Sequence, residues 1–393
     1  MKLADRMSRL GTETAFEVLV KARALEAQGR TVVHMEIGEP DFDTPANIIE
    51  AACKALNSGY THYVPSAGLP EFRKAIADEV SKTRGVSFDA EQVVVTPGGK
   101  PIMFFTIMAL AGPGDEVIYP NPGFPIYESV INFVGAKAVP LPLLEQREFR
   151  FDVEDLRRKV TPKTRLLIIN SPHNPCGSML SKEDLQAIAD MASENGFMVL
   201  SDEIYIRLVY DGEFMSITQF PGMPERTIIL DGFSKTYAMT GWRLGYGVMP
   251  KALAAQIAKL MTNSNSCTAS FTQMAGLEAL TGPQEESYKM VEAFRQRRDV
   301  IVDGLNAIRG ISCLNPRGAF YVFPNVKEVV KRGKFANAKA LADDLLQEAG
   351  VATLSGTAFG EFGEGYLRLS YATSIDNINE ALNRIDGFVS KLS

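Results

Sequence analysis

The sequence predicts an α/β protein: a large domain with a mostly parallel sheet covered by helices on both faces, joined to a smaller α+β domain. Three observations carry this expectation. The chain has 393 residues, too many for one small core and comfortable for two domains. From about residue 45, short apolar runs of the buried-strand type alternate with amphipathic helical stretches. Past Glu285 that alternation gives way to long helical segments with scattered strands.

The elements follow in order. Thr44-Pro45 reads as an N-cap followed by proline at the first helical position, and Gly59 closes that helix. Leu69-Pro70 opens a second periodic stretch that ends near Gly85. The apolar runs Gln92–Thr96, Glu116–Tyr119, Arg165–Asn170, Phe197–Ser201, Thr227–Asp231 and Leu244–Met249 read as buried strands. The amphipathic segment Ser181–Asn195, ended by Gly196, lies between two of them. Strands alternating with helices imply a largely parallel sheet. Further on, Glu285–Ile308 reads as one long helix, and Gly318–Phe323 and Tyr366–Ser370 read as strands. Ala338–Ala349 and Ile375–Leu392 read as helices. The large domain is therefore placed at residues 43–285 and the small domain at residues 1–42 with 286–393.

Composition narrows the function. The chain is 46% hydrophobic, 22% charged and 9% aromatic, which argues against disorder, collagen-like repeats and coiled coil. A net charge of −6 gives no basic footprint for nucleic acid. The one basic cluster, Arg295-Gln-Arg-Arg298, reads as a solvated helix face. Residues 1–16 carry charges every few positions, unlike a signal peptide or membrane anchor, and the apolar run Pro101–Gly112 is too short to span a bilayer. A soluble, cytoplasmic protein is expected. Cys53, Cys176, Cys267 and Cys313 are widely spaced and the 3 histidines form no HExxH pair, so no metal and no disulfide framework are expected.

In an open α/β sheet, ligands gather at the carboxyl ends of the strands, so the polar residues that follow the apolar runs mark the place to look. They are Pro97-Gly98-Gly99-Lys100, Asn170–Gly177, Asp202-Glu203 and Gly232-Phe-Ser-Lys235. Asp202 closes an apolar run, where an acid is either a helix cap, a salt-bridge partner or a functional carboxylate. Lys235 is either a solvated charge or, at the mouth of the sheet, a partly desolvated amine suited to imine formation. Gly98-Gly99 before an apolar helix is either a plain turn or an anion cradle at a helix N-terminus. It is not a Walker A loop, since Pro101 follows the lysine where Ser or Thr is needed, and it is not the dinucleotide fingerprint. Arg368 alternates with apolar neighbours and either pairs with an acid or grips a substrate carboxylate.

Six segments in order and spacing resemble the class I aminotransferases of the fold-type-I pyridoxal-phosphate (PLP) enzymes, of the aspartate-aminotransferase-like kind. They are Gly38-Glu-Pro-Asp-Phe-Asp-Thr-Pro45, Tyr63-Val-Pro-Ser-Ala-Gly-Leu69, Ser171-Pro-His-Asn-Pro-Cys-Gly177, Ser201-Asp-Glu-Ile-Tyr205, Ser234-Lys-Thr-Tyr-Ala-Met-Thr-Gly-Trp-Arg243 and Arg368-Leu-Ser-Tyr371. The resemblance covers nearly the whole chain. It implies transfer of an amino group between an L-amino acid and a 2-oxo acid by a ping-pong mechanism. It also implies that Lys235 carries pyridoxal 5'-phosphate as a Schiff base and later shuttles the proton. Asp202 would pair with the pyridine nitrogen, and Asn174 and Tyr205 with the phenolic oxygen. Phe124 would stack on the ring. Gly99, the Lys100 backbone and Arg243 would hold the phosphate, and Tyr63 would reach it from a second subunit in a homodimer with shared active sites. Arg368, Asn174 and the Gly38 backbone would bind the substrate carboxylate.

Two positions depart from the family pattern. Cys176 stands where Thr is common, and Gly232 stands three residues before the lysine, where many members place a phosphate-binding Ser. Ser234 compensates in our reading. His173 reads as a loop residue, the Met and Phe run at 102–108 as core, and Trp242 as packing under Arg243. The same cofactor-side residues would also serve a PLP-dependent lyase, such as a C–S β-lyase, so that reaction stays open from sequence.

Overall fold

The apolar runs pair into a sheet whose carboxyl edge collects the polar residues singled out above. The computed structural model describes residues 1–392; position 393, the last of the expected small domain, lies outside the described residues. Thirteen strands are formed among the described residues: β1 Val33–His34, β2 Val93–Thr96, β3 Glu116–Asn121, β4 Lys137–Leu144, β5 Arg150–Phe151, β6 Thr164–Asn170, β7 Met198–Asp202, β8 Thr227–Gly232, β9 Gly245–Val248, β10 Tyr321–Val322, β11 Val351–Ala352, β12 Leu354–Ser355 and β13 Leu367–Ser370. The 8-stranded sheet has the order β2-β9-β8-β7-β6-β3-β4-β5. Its pairs from β4 through β3, β6 and β7 to β8 are parallel, while β9 runs antiparallel to both β8 and β2.

Both faces of this sheet are buried, and the strand period of two explains how. Leu166 and Ile168 enter one core with Val117, Leu200 and Ile228, against the helices Lys100–Leu110, Ile126–Val134 and Lys251–Ser264. Leu167 and Ile169 enter the opposite core with Ile118 and Val199, against the helix Lys182–Asn195. That helix starts with a capping box, in which Ser181 accepts from the Asp184 amide and Asp184 from the Ser181 amide, and stops at left-handed Gly196. Beyond residue 285, the helices Glu285–Ala307 and Ile375–Val389 pack on the small sheet β10-β13-β12 around Phe294, Phe320 and Ile385. None of the described helices is long and apolar enough to cross a membrane.

Three local expectations are corrected. Thr44 does not cap the helix Ala46–Asn57; its hydroxyl donates to the Ala238 carbonyl at 2.7 Å, tying the Gly38–Pro45 segment to the loop after Lys235. Gly318–Phe323 forms only the two-residue strand β10, because Ala319 takes a positive φ of 60° that breaks extended structure. Arg297 and Arg298 are not solvated. Arg297 forms a bidentate pair with Asp41 at 2.6 and 3.0 Å and lies over the Phe42 ring, and Arg298 pairs with Asp211 and Asp299. The stretch Ala338–Ala349 is helical, but only Ala338–Asp344 is α; Leu345–Ala349 widens into a π turn ended by left-handed Gly350.

Candidate active site

Sheet register brings the polar strand ends together. Asn170 lies opposite Asp202, Asp202 opposite Leu230, Gly232 opposite Gly245, and Gly245 opposite Thr96. Because β9 runs in the reverse direction, its start rather than its end reaches this edge, and Arg243 arrives there just before it. The turns carrying Gly98-Gly99, Asn174, Asp202, Lys235 and Arg243 therefore share one rim.

The turn before Lys100 requires glycine at position 98. Gly98 has a φ of +86°, and a Cβ there would lie 2.3 Å from Arg243 Nη2. A Cβ on Gly245 would lie 2.5 Å from the Gly99 nitrogen. The helix Lys100–Leu110 opens directly from this turn, so its free backbone N–H groups and positive dipole end share the rim with the Arg243 guanidinium. The Lys100 side chain turns elsewhere, pairing with Glu13 and lying 5.4 Å from the Phe124 ring centroid.

Asp202 is 8% exposed. Burial pushes its carboxyl up to about 6, against the pull of a hydrogen bond from Tyr127. That bond, from the Tyr127 hydroxyl to Oδ2, is 2.5 Å long. Tyr127 was not among the residues singled out from sequence. The available signal was its place three residues after Phe124 at a helix start; the two rings now meet edge to face, 5.7 Å apart.

Lys235 is part-buried, and its amine donates to the Gly38 carbonyl at 2.5 Å. Desolvation lowers its proton affinity to about 8, with the charges of Arg368 and Arg243 acting in the same direction. The amine sits 5.7 Å from the Phe320 ring centroid, and Phe320 packs edge-on against Tyr205. Tyr205 and Tyr321 share a hydroxyl hydrogen bond of 2.8 Å. Burial holds the Tyr205 phenol well above its ordinary value, so it stays protonated.

Arg368 is 4% exposed, and no carboxylate lies within ion-pair distance among the described residues. Its Nη1 donates to Asn174 Oδ1 at 3.4 Å and its Nη2 to the Glu36 carbonyl, while Nε has no partner. The guanidinium is packed between the rings of Tyr321 and Phe359, 4.6 and 4.9 Å away. The Asn174 amide donates to Asn170 Oδ1 at 2.8 Å, and Asn170 Nδ2 donates to the Asp202 carbonyl at 2.9 Å. A continuous series of contacts thus joins Lys235 to Asp202 through Phe320, Tyr205, Tyr321, Arg368, Asn174 and Asn170.

The other candidates divide. Phe124 joins the site through Tyr127 and Lys100. Ser234 is buried in the Lys235 loop, its carbonyl accepting from the Met239 amide. Tyr63 stands apart, 86% exposed. His173 is buried with its Nε2 unpartnered, and burial lowers it to about 3, so it stays neutral beside Asn174. Trp242 is half-buried against the core that holds Phe233 and Tyr237, and its Nε1 donates to Thr44 Oγ1 at 2.9 Å. Groups of His, Cys, Asp or Glu suited to a metal ion do not occur among the described residues.

The family model "Aminotransferase class I and II" matches residues 30–385. The chain is 38% identical over 391 residues to an aspartate aminotransferase of Geobacillus stearothermophilus, covering 99% of each. It is 38% identical over 392 residues to the aromatic-amino-acid aminotransferase 2 of Thermococcus litoralis, covering 98% of each. Its fold matches the solved aspartate aminotransferase from Thermus thermophilus with maleate at a TM-score of 0.93 and 39% identity, over 98% of this chain and 99% of that one. This chain is a member of the class I and II aminotransferase family.

Proposed function

We propose that the chain binds pyridoxal 5'-phosphate at the sheet rim and moves an amino group between an L-amino acid and a 2-oxo acid. The observation that carries this reading is a buried guanidinium with no carboxylate of its own, Arg368, linked through packed side chains to a desolvated amine, Lys235. A buried unpaired cation is costly, and an anionic substrate relieves that cost.

The residues fit the cofactor. The Gly98-Gly99 turn leaves a cradle that a Cβ would fill, beside Arg243 and the helix N-terminus, which suits a phosphate. Gly99, the Lys100 amide, Ser234 and Arg243 would hold it there. Asp202 would pair with the pyridine nitrogen, Asn174 and Tyr205 with the phenolic oxygen, and Phe124 with the ring face. Lys235 would hold the aldehyde carbon. When bound, PLP supplies an aldehyde that condenses with amines and a ring that takes up electron density from the substrate's α-carbon.

The chain's own groups then have distinct tasks. Asp202 keeps a proton on the ring nitrogen, which a carboxylate favours and a neutral group does not. Lys235, whose pKa is lowered to about 8, is partly neutral near physiological pH and would take the α-proton as a general base and pass it to the cofactor carbon that carried the aldehyde. Tyr205 stays protonated and donates. Arg368 and Asn174, with the Gly38 backbone, orient the α-carboxylate. The exposure of Tyr63 supports a homodimer in which it serves the neighbouring subunit's phosphate site. Residues 43–285 would form the cofactor-binding domain, and residues 1–42 with 286–393 the small domain.

The test is chemical. Apoprotein is mixed with PLP, reduced with borohydride and mapped by mass spectrometry. The cofactor should be fixed to the peptide containing Lys235; label elsewhere, or none, refutes the assignment.

A further inference from the structure

Behind the rim lies an ion-paired cluster that the mechanism above does not use. Arg84 ends the helix Pro70–Arg84, just before left-handed Gly85, and its side chain is 1% exposed. Its Nε donates to Glu203 Oε2 at 2.8 Å and its Nη2 to Asp231 Oδ2 at 2.7 Å. Glu203 directly follows Asp202 at the end of β7. Asp231 lies near the end of β8, four residues before Lys235. We propose that Arg84 is a positioning residue for the cofactor half of the site: it cancels two buried charges beside Asp202 and clamps together the strand ends that carry Asp202 and Lys235. This inference rests on the reading that Asp202 faces the pyridine nitrogen.

Every carboxylate oxygen in the cluster is used. Glu203 Oε1 accepts from Ser201 and Ser216 at 3.0 and 2.7 Å, and Asp231 Oδ1 accepts from the Gly232 amide at 2.7 Å. Tyr246 on β9 donates to Asp231 Oδ2 at 3.0 Å, and the Glu203 amide donates to the Leu230 carbonyl at 2.8 Å, bridging β7 to β8. A surface ion pair would place no such demands. Here one guanidinium fixes two strand ends through directional bonds between buried groups, where charge is screened less than at the surface.

The electrostatic consequence falls on Asp202. Glu203 and Asp231 both act to raise its proton affinity, and Arg84 is the cation that contacts them both. Tyr127 faces Asp202 from the helix Ile126–Val134, and Tyr205 lies within reach of its charge. Farther out, Arg207 pairs with Glu79 and lies over the Tyr237 ring, so its charge is already engaged. Losing Arg84 would leave Asp202 beside two uncompensated carboxylates. Its proton would then be held to higher pH, and the carboxylate that PLP needs would form later in the titration.

The test measures PLP affinity of the apoprotein by absorbance titration from about pH 5 to about pH 8, the range in which a carboxyl raised to about 6 titrates. Affinity of the unmodified protein should fall as acid protonates Asp202. Arg84→Met should move that midpoint up by about one pH unit, making binding about fivefold weaker near pH 6 and about ninefold weaker near pH 5. Glu203→Gln, which keeps Arg84, should move it down. Arg84→Lys should recover part of the loss. Opposite displacements are not expected of a residue that only supports the fold. Should Arg84→Met fail to fold, Glu203→Gln decides alone: a downward shift supports the proposal and an unmoved midpoint overturns it. Failure of the unmodified protein to bind PLP would instead remove the cofactor reading and this proposal with it.

Discussion

The Tyr127 hydroxyl donates to Asp202 Oδ2 across 2.5 Å, joining the helix after Phe124 to the end of β7. Burial alone would drive the Asp202 carboxyl higher still, and this bond opposes it. Tyr127→Phe should therefore raise the pH at which Asp202 ionises, by about one unit, and weaken PLP binding by about twofold near neutrality and about fivefold near pH 6. A pH series of PLP titrations checks this. Unchanged affinity at every pH would remove Tyr127 from the site's electrostatics.

Asp202→Asn separates holding the cofactor from using it. The amide keeps the shape and loses the charge, so PLP should bind more weakly, with the affinity of the acid-protonated site at every pH, while turnover falls by at least about a hundredfold. The apoprotein gives a second readout. Since the folded-state value is raised, the carboxyl is protonated in the folded chain while already ionised in the unfolded one, between about pH 4 and about pH 6. Stability from this group is lost as pH rises through that window. The Asn variant should lack this loss and be more stable at neutral pH by up to about 3 kcal/mol, measured by urea unfolding.

Arg368→Leu removes a buried cation that has no carboxylate partner among the described residues. Activity and stability should move in opposite directions. The ratio kcat/KM should fall by about a hundredfold for amino acid and 2-oxo acid alike, with PLP affinity unchanged. The apoprotein should unfold at equal or higher urea, because an unpaired buried charge is replaced by an apolar group. A large loss of stability would mean that Arg368 serves the fold.

His34 lies between Glu26 and Glu36, 3.1 and 2.8 Å from their oxygens. The bond to Glu36 is the main cause of its raised proton affinity. A raised value means the stabilisation is full below the ordinary imidazole range and is lost as pH rises through the folded value. His34→Gln should cost about 1 kcal/mol at mildly acidic pH and progressively less in mild alkali. Urea midpoints across that range decide it, and a pH-independent cost would contradict it.

The strands were the most legible part of the fold. Runs such as Arg165–Asn170 are continuous and apolar because β6 is buried on both faces, and the observed strand starts one residue earlier. The helix at Ser181–Asn195 was readable because its amphipathic period and the closing Gly196 are local signals. What escaped depends on distant contacts. Tyr127 meets Asp202 across 75 positions, and Arg297 meets Asp41 across 256. Arg84 carries no mark in a helix otherwise rich in Lys and Glu, and only folding reveals that its side chain turns inward. The groups proposed for the site were named by resemblance, while Tyr127 and Arg84 behind them carried no such mark.

The most direct test of the account is the half-reaction. PLP-loaded protein is mixed with a single amino acid in the absence of any 2-oxo acid, and the visible cofactor absorption is followed. The absorption should fall in proportion to 2-oxo acid released, with the nitrogen retained on the protein, and return when a fresh 2-oxo acid is added. Release of free ammonia with catalytic turnover, and no need for a second oxo acid, would contradict amino transfer and assign the chain to elimination chemistry instead.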